Sequence, residues 1–499
     1  MILERGAGVL LHPTSLPGKW GMGELGSEAV AFLDFLQKSK QKYWQILPLN
    51  TVGEYFSPYQ CYSAFAGNHL LISLEKLVQQ GLLAKDDLAV ENVFDTKKID
   101  YNRVRSFREK LLKKAFAQFR LQPKDQFYWQ FVQENCYWLR DYCFFMALKE
   151  YFQDAPWNKW DQKIAFREEK ALAYYRKLLA AEIEYHQFLQ FVFFQQWLEV
   201  KNYAGKLGIK IIGDLPIFVA HNSSDVWAHT QLFKLDALGN PEKVAGVPPD
   251  YFSPTGQLWG SPVYNWSEME KDTYRWWQER FKFLLKLVDI LRIDHFRGFE
   301  AYWEIPGSAK TAAEGEWVKG PESKFFAAVE RSLGPLPAIA EDLGFITRKV
   351  IELKDQFSYP GMKVLQFILG AGEEADYNFA NYDKNSVIYT GTHDNDTTLG
   401  WYEKVIKENP MLKQLFKKYL QLDSRTPKEE KVWQFIKFAY ETKSQVAIIP
   451  LQDILSLGSE ARMNYPGTTK GNWQWRFAKG DLTKEIEKKL SSLVKICAR

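Results

Sequence analysis

The most informative strand end in this chain is LRIDHFRGF, residues 291–299. A run with aromatic and leucine residues on one helical face, about 272–287, precedes it, and a short apolar strand then leads to Asp294. Arg292 lies two residues before this carboxylate, and His295 follows it directly. Because nearby positive charge favours the charged form of a carboxyl group, we expect Asp294 to stay ionised. Such a group is either a catalytic carboxylate or one partner of a buried ion pair.

Short apolar runs of this kind recur along the chain and alternate with helical patterns. Strands that alternate with helices form a parallel sheet, and eight of them predict an α/β fold, a (β/α)8 TIM barrel. Besides the run that ends at Asp294, the predicted strands are 9–11, 44–49, 209–216, 338–343, 363–367, 386–394 and 446–450. The predicted helices include 27–38, 322–333 and one that runs from a capping box at 426–429 to about 442.

The alternation is interrupted after the second and third predicted strands. Residues 68–205 are dominated by helical patterns, and residues 220–270 are irregular and rich in Pro, Gly, Trp and Tyr. Because the strand–helix rhythm resumes after both segments, we interpret residues 1–499 as a single catalytic domain. The first segment is then a helical insertion within the barrel. The second is a loop-rich insertion that forms part of a substrate cleft.

The charge and composition narrow the class of partner. The 499-residue chain has 65 Lys and Arg against 61 Asp and Glu, for a net charge of +4, and it has no long basic run. This balance argues against nucleic acid or an anionic membrane as a partner and favours an uncharged substrate. Aromatic residues make up 16% of the chain; such rings either stack on sugars or fill a core.

The cysteines and the hydropathy pattern indicate where the protein acts. The four Cys residues form no CxxC motif, which is typical of reduced thiols in a cytoplasmic protein. The first residues contain no apolar signal segment, and no apolar run reaches 18 residues. We therefore expect a cytoplasmic protein without an export signal or a membrane span.

Acidic residues end several of the predicted strands. Asp214, Asp294, Glu341 and Asp394 each fall at such an end, and chemistry in a barrel of this kind takes place at the C-terminal ends of the strands. Cleavage of a glycosidic bond requires one ionised carboxylate and one protonated carboxyl group on either side of the bond. Surrounding negative charge keeps one carboxyl group protonated near neutral pH. The set therefore favours chemistry on a glycosidic bond.

A metal site is the alternative interpretation of these carboxylates. Clusters of Asp and Glu bind Mg²⁺ or Ca²⁺, and His295 or His393 could complete a transition-metal site. Both histidines, however, adjoin a carboxylate near arginines, which argues against a bound cation. We therefore predict no metal.

Long stretches of the chain carry a family resemblance. The sequence resembles 4-α-glucanotransferases of the amylomaltase (disproportionating enzyme) family, in the α-amylase clan, over nearly its whole length. The matching stretches are GVLLHPTSLPG (8–18), SPYQCYSAFAGN (57–68), IIGDLPIFVA (211–220), AGVPPDYFSPTGQLWGSPVYNW (245–266), LRIDHFRGF (291–299), IAEDLG (339–344), GTHDNDTT (391–398) and RMNYPGTTKGNWQWR (462–476).

The resemblance implies roles by position. Asp294 corresponds to the nucleophile, Glu341 to the general acid/base, and Asp394 to the carboxylate that holds sugar hydroxyls at the cleavage point. The further implied substrate contacts are Asp214, Arg292, His295 and His393 in the same subsite, Ser57, Tyr59, Gln257, Trp259 and Asn464 along the glucan, and Asp250 in the loop that covers the site. The resemblance implies no metal or organic cofactor and no obligate protein partner.

Two short segments depart from the family pattern. The family usually has GYGDSPYQ where this chain has GEYFSPYQ, residues 53–60, and WGNP where it has WGSP, residues 259–262. The first difference leaves open whether a secondary glucan site exists and what ring size cyclic products have. The second replaces an amide by the hydroxyl of Ser261, so one contact is expected to weaken.

The implied activity is transfer of an α-1,4-glucan segment to the 4-hydroxyl of an acceptor glucan or glucose, through a covalent intermediate on Asp294. The implied substrates are maltooligosaccharides, amylose and glycogen. A hydrolase of the same clan and an inactive glucan-binding protein are the alternatives. For a retaining pair we expect the carboxyl groups of Asp294 and Glu341 to lie about 5–5.5 Å apart. We also expect a raised pKa for Glu341, because Asp294 and Asp394 are close like charges and the rim is partly dry. The loop at 245–266 is expected to fold over the rim and place Trp259 against the acceptor.

Overall fold

A computed structural model describes the chain except residues 1–2, 54, 91–92, 250–252, 373–377 and 424. Asp250, which the resemblance assigns to substrate binding, therefore lies outside the described residues. Tyr251 and Phe252 of the same segment lie outside them as well.

A closed barrel of eight parallel strands forms the centre of the molecule and confirms the predicted fold class. Its strands follow the order β1-β12-β11-β10-β9-β6-β3-β2, and a separate four-stranded sheet has the order β5-β4-β7-β8. Within the described residues the strands are β1 (Gly6–Leu10), β2 (Tyr43–Gln45), β3 (Lys210–Leu215), β4 (Lys243–Val247), β5 (Gln257–Pro262), β6 (Ile290–Ile293), β7 (Ala301–Pro306), β8 (Glu316–Lys319), β9 (Ala338–Ala340), β10 (Gly361–Val364), β11 (Ser386–Tyr389) and β12 (Val446–Pro450).

Helices surround the barrel and fill the long segment between β2 and β3. Strands such as β12 are buried along their whole length because helices cover a parallel sheet on its outer face. The described helices are α1 (Ser27–Lys38), α2 (Leu74–Gln79), α3 (Tyr101–Leu121), α4 (Gln126–Glu134), α5 (Cys136–Tyr151), α6 (Gln162–Ala165), α7 (Glu169–Leu178), α8 (Ala180–Lys206), α9 (Ser224–Ala228), α10 (Trp266–Lys271), α11 (Arg275–Leu287), α12 (Glu322–Leu333), α13 (Arg348–Gln356), α14 (Leu365–Gly370), α15 (Thr398–Glu408), α16 (Pro410–Leu420), α17 (Lys428–Glu441), α18 (Leu451–Ile454) and α19 (Lys484–Ile496).

The helices between β2 and β3 share the barrel's hydrophobic core. Trp197 of α8 packs on Trp44 of β2 with ring centroids 6.3 Å apart, and its indole N–H donates to the carbonyl of Leu287 at 3.0 Å. Both tryptophans are fully buried. In the described part of the chain, no helix is long and apolar enough to cross a membrane.

Four strand predictions were wrong in their second halves. Strand β2 ends at Gln45 and not at residue 49, and β9 ends at Ala340 and not at residue 343; the other two are those for β10 and β11. Residues 365–367 begin α14 instead of continuing β10, and residues 390–394 form a loop beyond β11. A short apolar run does not by itself distinguish a strand from a buried helix. At β11 the chain leaves the sheet at the barrel rim, where a loop presents Asp394.

The predicted capping box before α17 was also wrong. Helix α17 begins at Lys428, and no side chain caps it. The hydroxyl of Thr426 instead accepts a hydrogen bond from the backbone N–H of Asp423 at 3.1 Å. A local turn therefore uses the hydroxyl that the sequence pattern assigned to the helix.

The segment 245–266 is more regular than its composition predicts. It contributes β4 and β5, which pair antiparallel with a bulge between Val244 and Gly246, and β4 also pairs with β7. Because β7 comes from residues 301–306, beyond the strand that leads to Asp294, no local periodicity reveals this sheet. Trp259 of β5 packs against His295, so β5 lies beside the C-terminal ends of the barrel strands.

Candidate active site

Three of the four predicted carboxylates lie at the same end of three neighbouring barrel strands. Asp214 lies in β3, whereas Asp294 and Glu341 directly follow β6 and β9. Strands β3, β6 and β9 are adjacent, and the β3–β6 register pairs Asp214 with Arg292. The C-terminal ends of these strands therefore bring charged side chains together, as in other barrels of this class.

Arg292 joins two of these carboxylates. Its Nη1 donates to both oxygens of Asp214, at 2.8 and 2.7 Å, and to Oδ1 of Asp294 at 2.8 Å. Burial of the guanidinium lowers its pKa, but the two carboxylates more than offset this and hold the pKa of Arg292 well above its ordinary value. Arg292 is therefore a permanent cation that orients Asp294.

Asp214 and Asp294 differ in their access to solvent. The side chain of Asp214 is fully buried, whereas that of Asp294 is 26% exposed. Burial raises the pKa of Asp214, with Arg292 acting against it, and the hydroxyl of Tyr59 donates to its Oδ2 at 2.8 Å. Asp214 is thus enclosed as a supporting group, and Asp294 is the member of the pair that a substrate can reach.

Glu341 is held by two backbone amides. Its Oε2 accepts from the N–H of His295 at 2.7 Å, and its Oε1 accepts from the N–H of Leu343 at 3.1 Å. Burial raises the pKa of Glu341 to about 7; Arg292 lowers it and Asp294 raises it further. The predicted rise and the contribution of burial to it are therefore confirmed, and Asp294 adds to the shift, whereas Asp394 is not among its main causes.

His295 has a strained backbone that serves this contact. Its φ of 49° lies in the left-handed region, which a non-glycine residue seldom adopts, and its N–H bonds to Glu341 in this conformation. Burial lowers the pKa of the imidazole to about 4, so the ring is neutral near pH 7. Among the described residues, Nε2 of His295 has no hydrogen-bond partner. This nitrogen is buried, so it is an unpaired polar atom of the site and not an open contact for a ligand.

Asp394 lies in a separate group of contacts on the loop after β11. Its Oδ1 accepts from the side-chain amide of Asn464 at 2.6 Å and lies 3.4 Å from Nε2 of His393. The side chain is 46% exposed. Arg462, which sequence reasoning missed as a site residue, donates to the backbone carbonyl of Asp394 at 2.6 Å. The sequence signal for Arg462 is its position at the start of the stretch 462–476, which carries part of the family resemblance.

Tyr59 and His393 form a stacked pair next to these carboxylates. Their ring centroids are 5.0 Å apart, with an interplanar angle of 13°. The buried ring of Trp473 packs against both, at 5.8 Å from Tyr59 and 5.9 Å from His393. Because Tyr59 also bonds to Asp214, this stack connects the group around Arg292 with the loop that carries Asp394.

The other predicted glucan contacts have local partners at the rim. Trp259 packs edge-on against His295 with ring centroids 4.9 Å apart, and its indole N–H donates to the side chain of Gln257 at 3.2 Å. Gln60 bonds to the carbonyl of Trp259 at 3.3 Å. The Oγ of Ser57 accepts from the N–H of Tyr59 at 3.2 Å. Trp259 is therefore beside the strand end that carries Asp294, and Ser57 shapes the turn that positions Tyr59.

Phe56, in the altered segment 53–60, is packed by aromatic contacts. Phe56 stacks on Tyr101 with centroids 4.4 Å apart and an angle of 11°, and the guanidinium of Arg105 lies 4.7 Å from the centroid of the Phe56 ring. Its neighbour Tyr55 is 53% exposed. At the second departure, Ser261 is buried.

The histidines and carboxylates of the site are distributed between separate contact groups. Within the described ranges, no set of three or more His, Cys, Asp or Glu side chains is arranged to hold a metal ion. The groups instead pair with Arg292, Asn464 and backbone amides, which are partners of carboxylates and not of cations.

Comparison with known proteins gives a consistent assignment. The family model described as 4-alpha-glucanotransferase matches residues 11–483. The chain is 46% identical over 505 residues to a 4-alpha-glucanotransferase from Synechocystis sp., covering 100% of this chain and 99% of that protein. It is also 46% identical over 506 residues to the 4-alpha-glucanotransferase from Thermus thermophilus, covering 100% of both chains.

A solved structure agrees with the sequence comparisons. Amylomaltase from Streptococcus agalactiae in complex with acarbose superposes with a TM-score of 0.95 at 41% identity, covering 99% of this chain and 100% of that one. A second amylomaltase, from Corynebacterium glutamicum, shares the fold with a TM-score of 0.80 at 17% identity, covering 98% of this chain and 75% of that one. The chain therefore belongs to the 4-alpha-glucanotransferase family.

Proposed function

We propose that Asp294 is the nucleophile and Glu341 the general acid/base of a retaining transfer between α-1,4-glucans. Asp294 attacks the anomeric carbon of the donor while Glu341 gives its proton to the leaving glycosidic oxygen. A covalent glucosyl-enzyme forms and the shortened glucan leaves. Glu341, now ionised, then takes the proton of an acceptor 4-hydroxyl, and that oxygen displaces Asp294 from the anomeric carbon. Each of the two displacements inverts the configuration of the anomeric carbon, so the configuration is retained overall.

The contrast between the two carboxyl groups carries this proposal. Arg292 holds Asp294 at 2.8 Å in a partly exposed position, as a nucleophile requires. Burial gives Glu341 a pKa of about 7, so near neutral pH it is protonated in a large fraction of molecules and can both donate and accept a proton. Two carboxyl groups with different environments support the two different roles.

The groups around this pair support a role in holding the reacting sugar. Asp394, fixed by Asn464 and 46% exposed, can accept hydrogen bonds from sugar hydroxyls. Bonds of this kind that strengthen as the ring flattens towards an oxocarbenium ion lower the barrier of the reaction.

Transfer requires that a sugar, and not water, reaches the glucosyl-enzyme. Trp259 lies against His295 at the rim, and a ring there can hold the acceptor and exclude water from the attack position. We propose that maltooligosaccharides, amylose and glycogen are donors and that glucans or glucose are acceptors. We expect the protein to act in the cytoplasm, where its four cysteines remain as free thiols.

Incubation with maltotriose distinguishes this function from its rivals. A glucanotransferase gives glucose together with a ladder of longer maltooligosaccharides, all with α-linkages. A hydrolase gives only glucose and maltose, and a glucan-binding protein without activity leaves maltotriose unchanged. Either of the last two results would refute the proposed function.

A further inference from the structure

An exposed aromatic surface continues outward from the acid/base. It consists of Phe345 on the loop after β9 and Trp317 on β8. These two rings, with the buried guanidinium of Arg297 that supports them, are named the outer platform. Phe345 is 70% exposed and Trp317 is 37% exposed, although large apolar rings are normally buried. Their ring centroids are 6.5 Å apart and their planes differ by 23°, so the two rings present nearly parallel surfaces.

Arg297 fixes these rings in place. Its Cζ lies 3.7 Å from the ring centroid of Trp317 and 5.7 Å from that of Phe345, within the range of cation–π attraction. Its Nη1 also donates to the backbone carbonyl of Phe345. Because Arg297 is itself 5% exposed, the platform is held before any ligand arrives. The protein therefore loses little additional side-chain entropy when a ligand binds there.

The platform is connected to both catalytic strand ends. Arg297 lies three residues after Asp294, and Phe345 lies four residues after Glu341. The backbone N–H of Phe296, next to Arg297, donates to the carbonyl of Glu341 at 3.1 Å. The side of the cleft that continues from Glu341 is also the side of the leaving segment, because Glu341 protonates the oxygen of that segment. An acceptor occupies the same side in the second half of the reaction.

We propose that the outer platform binds the acceptor glucan, at a glucose residue beyond the one whose 4-hydroxyl attacks. This inference rests on the proposed transferase function. The flat faces of a glucose ring carry C–H groups that pack on aromatic rings, while its hydroxyl edge bonds to polar groups. The platform offers two such rings.

Acceptor length is the property that this platform controls. The donor half of the reaction can be separated by using α-maltosyl fluoride as donor, with glucose or maltotetraose as acceptor. For Phe345→Ala we expect the KM for maltotetraose to rise about three- to tenfold, because a stacking surface is lost. The KM for glucose and the kcat for both acceptors should not change, since glucose does not extend to the platform.

Three further variants make the test specific. Phe345→Tyr keeps a ring and should restore the wild-type KM for maltotetraose. Trp317→Ala should reproduce the effect of Phe345→Ala. Phe127→Ala removes a ring that is 62% exposed on α4, a helix that packs against α5 and α8, and should leave both KM values unchanged.

Several results would overturn the inference. If Phe345→Ala leaves the KM for maltotetraose unchanged, or raises the KM for glucose equally, the platform does not bind an outer acceptor residue. Sedimentation that shows self-association lost in Phe345→Ala, with acceptor KM values unchanged, would make the surface a contact between copies of the chain. A wild type that cleaves the donor without transfer refutes the proposed function itself. A wild type that transfers, with all variants sharing its KM values, refutes only the platform.

Discussion

The pKa of Glu341 makes a quantitative prediction about the pH dependence of the reaction. Burial raises this pKa from 4.5 to about 7, and the donor-cleavage step needs the protonated form. Above the pKa, each pH unit lowers the protonated fraction about tenfold. We therefore expect kcat/KM for maltotriose to fall on the basic side with an apparent pKa near 7. At pH 8 the value should be about one tenth of its maximum.

Replacement of Glu341 tests whether this residue causes the fall of kcat/KM on the basic side. In Glu341→Gln we expect kcat/KM for maltotriose to fall by about 10²–10⁴. The decrease of kcat/KM with rising pH near 7 should disappear. Because fluoride leaves without protonation, the same variant should still react with α-maltosyl fluoride. The base that activates the acceptor is then missing, so a glycosyl adduct on Asp294 should accumulate.

The assay combines initial rates between pH 5 and 9 with mass spectrometry of the protein after brief exposure to the fluoride donor. Asp294→Asn serves as the matched control, because it removes the nucleophile and should form no adduct. Two results would contradict the role of Glu341: a decrease of kcat/KM near pH 7 that persists in Glu341→Gln, or a wild-type decrease whose apparent pKa lies more than about two pH units from 7. An adduct on another residue would refute the assignment of the nucleophile.

The remaining predictions concern the acceptor side, stability and Asp394. In Trp259→Ala, transfer from maltotriose should fall more than donor cleavage, so the ratio of free glucose released by hydrolysis to chain elongation should rise; an unchanged ratio would contradict the role at the acceptor side. Because the folded-state pKa of Glu341 is raised from 4.5 to about 7, its contribution to stability is complete below pH 4.5 and is lost as the pH rises through 7, by at most ~3 kcal/mol. Urea unfolding at pH 5 and pH 8 should show this loss in the wild type and not in Glu341→Gln, and equal pH dependence of the two proteins would speak against the raised pKa. Asn464→Ala removes the 2.6 Å bond to Asp394 and should lower kcat/KM about 10–100-fold, whereas the exposed Asn385→Ala should not; equal rates for the two variants would exclude this positioning role.

Local sequence patterns were sufficient to locate the strands that build the barrel. The fully buried strands read as apolar runs, and acidic residues marked where β3, β6 and β9 reach the rim. Prediction from local patterns failed where strand pairing is long-range or where an apolar run is short. Residues 365–367 became helical, and β4 and β5 were unrecognised because their partner β7 is distant in the chain.

The sequence by itself determined which chemical groups this protein has and at which strand ends they appear, because apolar runs and their terminal carboxylates are local properties of the chain. Only the tertiary structure decided how those groups differ. Arg292 bonds both Asp214 and Asp294 because β3 and β6 pair in one register. Glu341 has a pKa of about 7 because the surrounding chain buries it. Solvent exposure and charge separation depend on contacts between distant segments, and a carboxyl group acquires its protonation state only when those contacts form.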